Sequence, residues 1–258
     1  MIRLAQVSDP HIGGDPDYRL AGVNARRTFG IILDEVRKET FDTLMITGDI
    51  ASDYSPPAYR YFFEQMETFE QPMYWLPGNH DLVGNAESVE NAVPFRQVFD
   101  TEHWRIIMLD SMVPKSPNGR LGEEQLTVLA KALEENTKPH IMVFLHHNPV
   151  LIDCAWLDTQ TVADADKFFE IIDKYPQVRG IFWGHIHQQF EVERNNVLLK
   201  SVPSTCIQFL PKSDDFALDT ISPGYRMIGL HDDGRIETQV RRVDIPDIGV
   251  DTSCMGYE

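Results

Sequence analysis

Short apolar runs alternate with helical patterns along the chain, which predicts an α/β fold. Strands are predicted at Ile2–Ser8, Thr43–Thr47, Met73–Leu76, Arg105–Leu109, Ile141–Leu145, Gly180–Trp183, Val197–Ser201, Met227–Leu230 and Glu237–Arg242. Helices are predicted from the N-cap Asn24 to about Lys38, and over Pro57–Phe69, Glu123–Glu134 and Ala165–Tyr175. Asn195-Asn196 and Asp233-Gly234 indicate hairpin turns. We therefore expect parallel strands in the first half and an antiparallel group formed by the last three strands.

The helix over Glu123–Glu134 is expected to be amphipathic. Its apolar positions recur with the spacing of one helical face, and we expect the inward residues to be Leu126, Leu129, Ala130 and Leu133.

Polar side chains of metal-binding types follow five of the predicted strands. They occur in Asp9-Pro10-His11, Gly48-Asp49, Gly78-Asn79-His80-Asp81, His146-His147-Asn148-Pro149 and Gly184-His185-Ile186-His187. Ligands of open α/β sheets bind at the carboxyl ends of the strands. We therefore expect all five segments to meet at one edge.

These segments differ in what each indicates alone. Asp9-Pro10-His11 and Gly48-Asp49 are common by chance, and a single His146 is more typical of a hydrogen-bonded core histidine. A Gly-His-x-His segment is expected by chance in roughly one such chain in fifty, and Gly-Asn-His-Asp in well under about one in a hundred. Their occurrence together, each after a strand, favours a functional site.

The donor set has enough members for two metal ions. Seven side chains are available: Asp9, His11, Asp49, Asn79, His146, His185 and His187. If Asp49 bridges, each ion receives four protein ligands, and positions remain for a bridging hydroxide and for substrate oxygens. Two cations about 3.5–4 Å apart can hold both the attacking and the leaving oxygen of an in-line displacement. Mixed imidazole, carboxylate and amide ligands suit iron, manganese or zinc rather than calcium.

Composition narrows the class of partner. The 258 residues are 42% hydrophobic and 24% charged, as expected for one globular domain spanning 1–258. The formal net charge of −17 argues against nucleic acid and anionic membranes as partners. Bound cations would make the site locally positive despite that charge.

Location and oligomeric state are less constrained. Three widely spaced cysteines do not form a disulfide framework, the first residues become polar too early for a signal peptide, and no apolar run approaches a membrane span. We expect a cytoplasmic protein without a membrane partner. The oligomeric state is open, with a homodimer as one option.

The segments resemble the motifs of the calcineurin-like metallophosphoesterase superfamily. Further similarity is to the class III bacterial 3′,5′-cyclic-AMP phosphodiesterases, through WLPGNHD (75–81), LDS (109–111), LHH (145–147) with Pro149, GHIHQ (184–188), PSTCIQF (203–209), LDT (218–220), PGYR (223–226), DT (251–252) and GY (256–257). Asn148 departs from the proline or histidine of many relatives, but it removes no ligand.

The resemblance implies a four-layer α/β/β/α sandwich of two mixed sheets. It implies that one metal is held by Asp9, His11, Asp49 and His187, and the other by Asp49, Asn79, His146 and His185. Iron or manganese is favoured, with zinc as an alternative. His80 is the implied catalytic residue, and Asn79, His80 and His187 are the implied substrate-binding residues. The region of about 200–258 is expected to contribute to the substrate pocket.

The implied reaction is hydrolysis of the small-molecule cyclic nucleotide 3′,5′-cyclic AMP to 5′-AMP through a metal-bridging hydroxide. The main alternative is another phosphodiesterase or phosphomonoesterase of the same fold, acting on a glycerophosphodiester or a 2′,3′-cyclic nucleotide. The metal motifs do not separate these substrates. A non-catalytic binding scaffold predicts a degraded ligand set, which the sequence does not have.

Several residues near these motifs admit more than one interpretation. His147 is expected to pack or to support a ligand, and Asp81 either orients His80 or caps the turn after it. Ser204-Thr205-Cys206 is an ordinary loop or a border of the nucleotide pocket, and Cys206 is not expected to be a nucleophile. An aromatic face for adenine could come from Phe95, Trp156, Phe209 or Phe216, each of which could equally be packing.

Overall fold

The computed structural model describes residues 1–256, so Tyr257 of the closing motif lies outside the described residues. The strands are β1 Ile2–Val7, β2 Arg19–Leu20, β3 Val23–Asn24, β4 Thr43–Thr47, β5 Met73–Leu76, β6 Val98–Asp100, β7 Trp104–Met108, β8 His140–Phe144, β9 Val178–Trp183, β10 Glu191–Arg194, β11 Val197–Ser201, β12 Gln208–Phe209, β13 Leu218–Asp219, β14 Gly224–Leu230 and β15 Ile236–Arg242. The helices are α1 Ala25–Val36, α2 Pro56–Met66, α3 Val83–Ala86, α4 Gly122–Glu134, α5 Ala155–Asp158 and α6 Ala165–Ile172. Within residues 1–256, none of these helices has the length and apolar composition needed to cross a membrane.

Two mixed sheets form the centre of the fold. The first has the order β15-β14-β1-β4-β5, in which β1, β4 and β5 run parallel and β14 joins β1 antiparallel. The second has the order β10-β11-β9-β8-β7-β6, in which the four inner strands run parallel and both edge strands are antiparallel. The parallel strands of each sheet therefore end on a common edge.

Three apolar cores separate four layers. Alternate side chains of a strand point to opposite faces, so each sheet contributes to two of the cores. Between the sheets lie Leu4, Met45, Ile106, Met108, Met142, Phe144 and Phe182. The opposite face of the first sheet, with Ala5, Val7, Leu44 and Ile46, packs against Phe29, Leu33, Phe62 and Phe63 of α1 and α2. The opposite face of the second sheet, with Ile107, Val143 and Ile181, packs against Leu129, Leu133, Phe168 and Ile172 of α4 and α6. The predicted α/β/β/α sandwich is confirmed.

The predicted elements are all present, with ends that differ by three residues or fewer. Helix α2, for example, ends at Met66 rather than at Phe69. The N-cap prediction is also right, since the Asn24 side chain accepts a hydrogen bond from the Arg27 amide at 2.9 Å.

The predicted antiparallel group is partly wrong. Strand β11 pairs in parallel with β9 in the second sheet, whereas β14 and β15 belong to the first. Asn195 and Asn196 do form a hairpin turn, with φ of 51° and 64°, but its other arm is β10. That strand is an exposed, mostly charged edge, which carries no apolar alternation to reveal it.

One inward position on α4 is also wrong. Ala130 is only half-buried, and Ala132 lies in the core instead beside Leu129 and Leu133. The buried face of α4 therefore includes position 132, which the spacing of the leucines does not predict.

Candidate metal centre and active site

The predicted donor side chains lie on short turns directly after the parallel strands. Five of them, Asp9, His11, Asp49, His185 and His187, have a left-handed backbone, with φ between 47° and 62°. This conformation costs a residue other than glycine about 1–2 kcal/mol. Strain of this kind is concentrated at functional sites, where surrounding contacts hold it. Five of the seven predicted donors therefore share this strained conformation.

One group of donors gathers Asp9, His11, Asp49 and His187, all buried, with ligand atoms within 4.8 Å of one another. His11 Nε2 lies 3.1 Å from His187 Nε2 and 3.6 Å from Asp49 Oδ2. His187 Nε2 lies 3.4 Å from Asp9 Oδ1. This group has the same members as the first predicted ligand set.

The second group is built around His146. Its Nε2 lies 3.3 Å from Asp49 Oδ2 and 3.2 Å from Asn79 Oδ1. The rings of His146 and His185 are 5.1 Å apart between centroids. Asp49 Oδ2 therefore faces donors of both groups, as a bridging carboxylate requires.

Backbone contacts orient these side chains. His146 Nδ1 is 2.7 Å from the Thr47 carbonyl, and His187 Nδ1 is 2.9 Å from the Ile207 carbonyl. Each carbonyl accepts a hydrogen bond from Nδ1–H, so Nε2 of each ring is the nitrogen that faces the other predicted metal ligands. Hydrogen bonds of this kind fix the tautomer and the orientation of metal-ligating histidines. Asp9 is oriented in turn by the His185 amide, which donates to Oδ1 at 3.0 Å.

Glycines permit the close approach of the turns. Gly48 has φ of 97°, and a Cβ at Gly184 would lie 2.7 Å from Asp9 Oδ2 and 2.9 Å from the Thr47 carbonyl oxygen. No side chain fits at those distances. Glycine at 48 is needed for a turn, whereas glycine at 184 is needed to bring the two sheets together.

Asp81 connects the turn after β4 to the turn after β5 through hydrogen bonds. Its carboxylate accepts hydrogen bonds from the amides of Ile50, Ala51 and Gly78 at 2.9–3.1 Å, and from the hydroxyl of Tyr59 at 3.1 Å. Burial, followed by the Asp49 charge, raises the pKa of Asp81 to about 7. Neither sequence interpretation anticipated this role, because all these donors except Gly78 are distant along the chain.

The electrostatics favour cation binding. Burial alone would raise the pKa of Asp49, but the surrounding imidazoles, His146 first, hold it well below the usual range. Burial lowers the pKa of His11 and of His185, so both rings are neutral. Burial opposes a charge on His146 too, yet Asp49 raises the pKa of that ring to about 9. A divalent cation can take the position of this proton, because metal binding displaces protons from its ligands.

The donor groups fit metal ions in two further respects. Ligand atoms bonded to one ion at about 2.1 Å are separated by about 3.0–3.4 Å from each other, close to the distances found here. His185 Nε2 is also buried without a hydrogen-bond partner among residues 1–256. Buried polar atoms are rarely left unsatisfied. The residues present therefore suit divalent metal ions.

His80 differs from the ligand histidines. Its backbone amide donates to Asp49 Oδ1 at 2.8 Å, and its half-buried ring meets that of His11 edge-on with centroids 5.0 Å apart. His80 and Asn79 both line a cavity of about 890 Å³. A cavity of this size is typical of a small-molecule site.

One side of this cavity is formed by a loop that no sequence motif indicates. The loop after β7 lines it with Met112 and residues 114–117, together with Trp156 and Gln160. Of the proposed aromatic residues, Trp156 and Phe216 line the cavity, whereas Phe95 packs against Trp75 in the core.

The loop 204–206 contacts the backbone of the predicted ligand Asp9. Ser204 Oγ donates to the Asp9 carbonyl at 2.7 Å and accepts from the Cys206 amide at 2.8 Å. Burial raises the pKa of the Cys206 thiol to about 12, in agreement with the expectation that it is not a nucleophile.

A ring nitrogen of His147 lies within 4.8 Å of ring nitrogens of His146 and His185, although His147 is not one of the predicted ligands. Its Nδ1 is 2.8 Å from Ser111 Oγ. Its role as a supporting residue stays a prediction.

A family model described as calcineurin-like phosphoesterase matches residues 2–189. That range covers well over half of the chain and contains every predicted ligand. The chain belongs to the calcineurin-like phosphoesterase family. Family membership and the His/Asp clusters together indicate divalent metal ions at this site.

Similarity to curated relatives of this family extends past residue 189. The chain is 39% identical over 264 residues to the 3′,5′-cyclic adenosine monophosphate phosphodiesterase CpdA of Vibrio vulnificus, covering 99% of this chain and 95% of that protein. It is 37% identical over 261 residues to the protein of the same name from Escherichia coli K12, with the same coverage. A 3′,5′-cyclic-nucleotide phosphodiesterase of Nostoc sp. is 34% identical over 247 residues, covering 94% of this chain and 92% of that protein. The resemblance inferred from the sequence motifs is confirmed.

Two solved structures show the same fold. A dimetal phosphatase from Danio rerio aligns with a TM-score of 0.64 at 14% identity, covering 93% of this chain and 96% of that one. GAP50, described as the anchor in the inner membrane complex of Plasmodium, aligns at 0.57 and 14% identity, covering 98% and 92%. These two proteins differ in role, so the fold alone does not decide function.

Proposed function

We propose that this protein hydrolyses 3′,5′-cyclic AMP to 5′-AMP with two divalent metal ions. The observation that supports it most is the convergence of seven donor side chains, from five strand ends, beside a cavity of about 890 Å³. The substrate is favoured by relatives named 3′,5′-cyclic adenosine monophosphate phosphodiesterase, which cover 99% of this chain.

Two ligand sets follow from the donor groups. One ion would be held by Asp9, His11, Asp49 and His187, and the other by Asp49, Asn79, His146 and His185. Iron or manganese fits this mixture of nitrogen and oxygen donors, and zinc is an alternative. When bound, the ions supply Lewis acidity, which polarises phosphoryl oxygens and lowers the pKa of water.

The chain's own residues bind and orient the phosphate. Asn79 Oδ1 faces His146, which leaves the amide Nδ2 group to donate to an equatorial phosphate oxygen. Preorganised donors of this kind stabilise charge that develops in the transition state. His187 would help to position the phosphate through its place in the first ligand set.

His80 would protonate the leaving group. It lines the cavity next to Asn79, and its backbone is fixed through the Asp49 carboxylate. The 3′ oxygen of ribose leaves as a poorly stabilised alkoxide, so a proton from an imidazolium should accelerate cleavage by roughly 10²–10⁴.

The remaining proposals concern the protein as a whole. Residues 1–258 would act as a single domain, in which the region of about 200–258 contributes Phe216 to the cavity. A cytoplasmic location is supported by free thiols at Cys154, Cys206 and Cys254. A binding scaffold is not favoured, because the donor set and His80 are complete.

Chromatography of products tests the function. The protein is loaded separately with iron, manganese and zinc, then given 3′,5′-cyclic AMP, 2′,3′-cyclic AMP and a glycerophosphodiester. We expect 5′-AMP from the 3′,5′-cyclic substrate with at least one metal. Release of 3′-AMP, or turnover of the glycerophosphodiester alone, would contradict the proposed function.

A further inference from the structure

The cavity beside Asn79 and His80 has an apolar side that the phosphate chemistry does not use. Met112, Pro114 and Pro117 line it from the loop after β7, and Leu82 is 46% exposed at its edge. Exposed apolar side chains grouped around a cavity indicate a surface that a ligand covers. The occupant must have an apolar face and must reach His80.

Trp156 forms part of an aromatic wall that begins at a predicted metal ligand. Phe209 stacks on the ring of His187, with centroids 4.2 Å apart and planes at 10°. Trp156 meets Phe209 edge-on at 4.9 Å and Phe216 at 5.2 Å. Within residues 1–256, the buried Nε1 of Trp156 has no hydrogen-bond partner. A buried indole N–H usually finds a partner, so an acceptor on a ligand would fit here.

Gln160 adds a polar group with defined chemistry. It lies just after α5, lines the same cavity, and is half-buried. A glutamine amide can bind adenine bidentately, donating to N7 and accepting from the N6 amino group. Guanine presents acceptors at both N7 and O6, so the amide can satisfy only one of them. The amide therefore suits adenine better.

The loop after β7 is held in place by contacts with neighbouring residues. The amide of Arg120 donates to the Ser111 carbonyl at 2.9 Å, which closes the loop on itself. Ser111 Oγ is bound to the buried ring of His147, and a Cβ at Gly119 would collide with that ring. A braced loop gives a preformed wall for a planar ligand, which lowers the entropic cost of binding.

From these contacts we infer that the cavity side formed by Met112, residues 114–117, Trp156 and Gln160 binds the purine base. Gln160 is the residue that selects adenine over guanine. The inference rests on the proposed function, because it assumes that the phosphate lies at Asn79 and His80. It adds a base subsite and its specificity to that function.

Competition kinetics test the subsite without requiring cyclic AMP to be a substrate. The base-free diester methyl 4-nitrophenyl phosphate is the reporter, and cyclic AMP and cyclic GMP are the competitors. The variants are Gln160→Leu and Trp156→Phe, which keep the size or the aromatic ring. The matched control is Gln189→Leu, an exposed glutamine beside a separate cavity next to His187.

We expect Gln160→Leu to weaken inhibition by cyclic AMP roughly ten- to a hundredfold and to weaken inhibition by cyclic GMP much less. Trp156→Phe should weaken both. Hydrolysis of the reporter and inhibition by both nucleotides should stay within about twofold of wild type in Gln189→Leu, since a substitution at an exposed position rarely has larger effects.

Two outcomes would overturn the inference. One is unchanged inhibition by cyclic AMP in both Gln160→Leu and Trp156→Phe. The other is an equal loss for cyclic AMP and cyclic GMP in Gln160→Leu. Failure of the proposed function is distinguishable, because cyclic AMP would then inhibit wild type competitively without being hydrolysed.

Discussion

Ser204 offers a test of how the Asp9 turn is held. Its hydroxyl donates to the Asp9 carbonyl at 2.7 Å and accepts from the Cys206 amide at 2.8 Å. All three residues are buried, and Asp9 has φ of 53°. Ser204→Ala removes one oxygen and leaves a buried carbonyl and a buried amide without their hydrogen bond.

The expected loss can be worked from these two groups. Each buried polar group left unsatisfied costs about 1–3 kcal/mol, so Ser204→Ala should lower the free energy of unfolding by about 2–6 kcal/mol. The turn should also relax from its strained backbone, which displaces the Asp9 carboxylate. Loss of such a supporting contact typically lowers metal affinity or activity about 10–100-fold.

Thr205 provides a matched control at the next position. It is also buried, but its Oγ1 has no hydrogen-bond partner among residues 1–256. Thr205→Val replaces that hydroxyl with a methyl group of similar size, so the free energy of unfolding should fall by less than about 0.5 kcal/mol or should rise.

Urea unfolding of the metal-free protein and metal titration of both variants provide the measurement. We expect a lower urea midpoint and weaker binding of one ion for Ser204→Ala only. If Ser204→Ala and Thr205→Val lose the same stability, or if Ser204→Ala binds both ions as tightly as wild type, the Asp9 turn is not held in this way.

The remaining predictions concern the ligands, the acid and the thiols. Asp49→Ala should lower occupancy of both metals, whereas His11→Ala should mainly weaken one, as mass spectrometry of metal content would show; two tightly held ions in Asp49→Ala would refute the bridge. His80→Ala should reduce kcat/KM for cyclic AMP about 10²–10⁴-fold, but reduce it far less for bis(4-nitrophenyl) phosphate, whose leaving group needs little protonation; equal losses in the metal-replete variant would exclude the acid role. A thiol reagent at neutral pH should modify half-exposed Cys254 in the native protein and reach buried Cys206 only after unfolding, because burial raises the Cys206 pKa to about 12. Rapid native modification at Cys206 would contradict its placement in the core.

The donor residues could be predicted because each lies at a strand end. The local pattern of an apolar run followed by Asp49 or His146 predicts both the strand and the position of the side chain at its carboxyl end. The sheet topology then requires the parallel strands to end on one edge. Pairing of the two sheets follows from contacts such as His146 with the Thr47 carbonyl, which no local pattern contains.

The cavity wall could not be predicted in the same way. Helix α5 has only four residues, and its position depends on distant contacts such as the Ala155 amide with the Ser213 carbonyl at 3.1 Å. The loop over 112–117 is placed by Ser111 and His147, which lie on different segments. The sequence indicates Trp156 as one of several aromatic candidates for the adenine site. Only the tertiary structure shows that Trp156 lines the cavity, whereas Phe95 packs in the core.

Metal titration followed by turnover tests the central claim most directly. Metal-free protein receives increasing equivalents of manganese or iron, and cyclic AMP hydrolysis is measured at each step with the bound metal counted in the same sample. The two ligand sets predict that 5′-AMP formation reaches its maximum at two ions per chain. Full activity at one ion per chain, or two bound ions without hydrolysis of cyclic AMP for either metal, would contradict the claim.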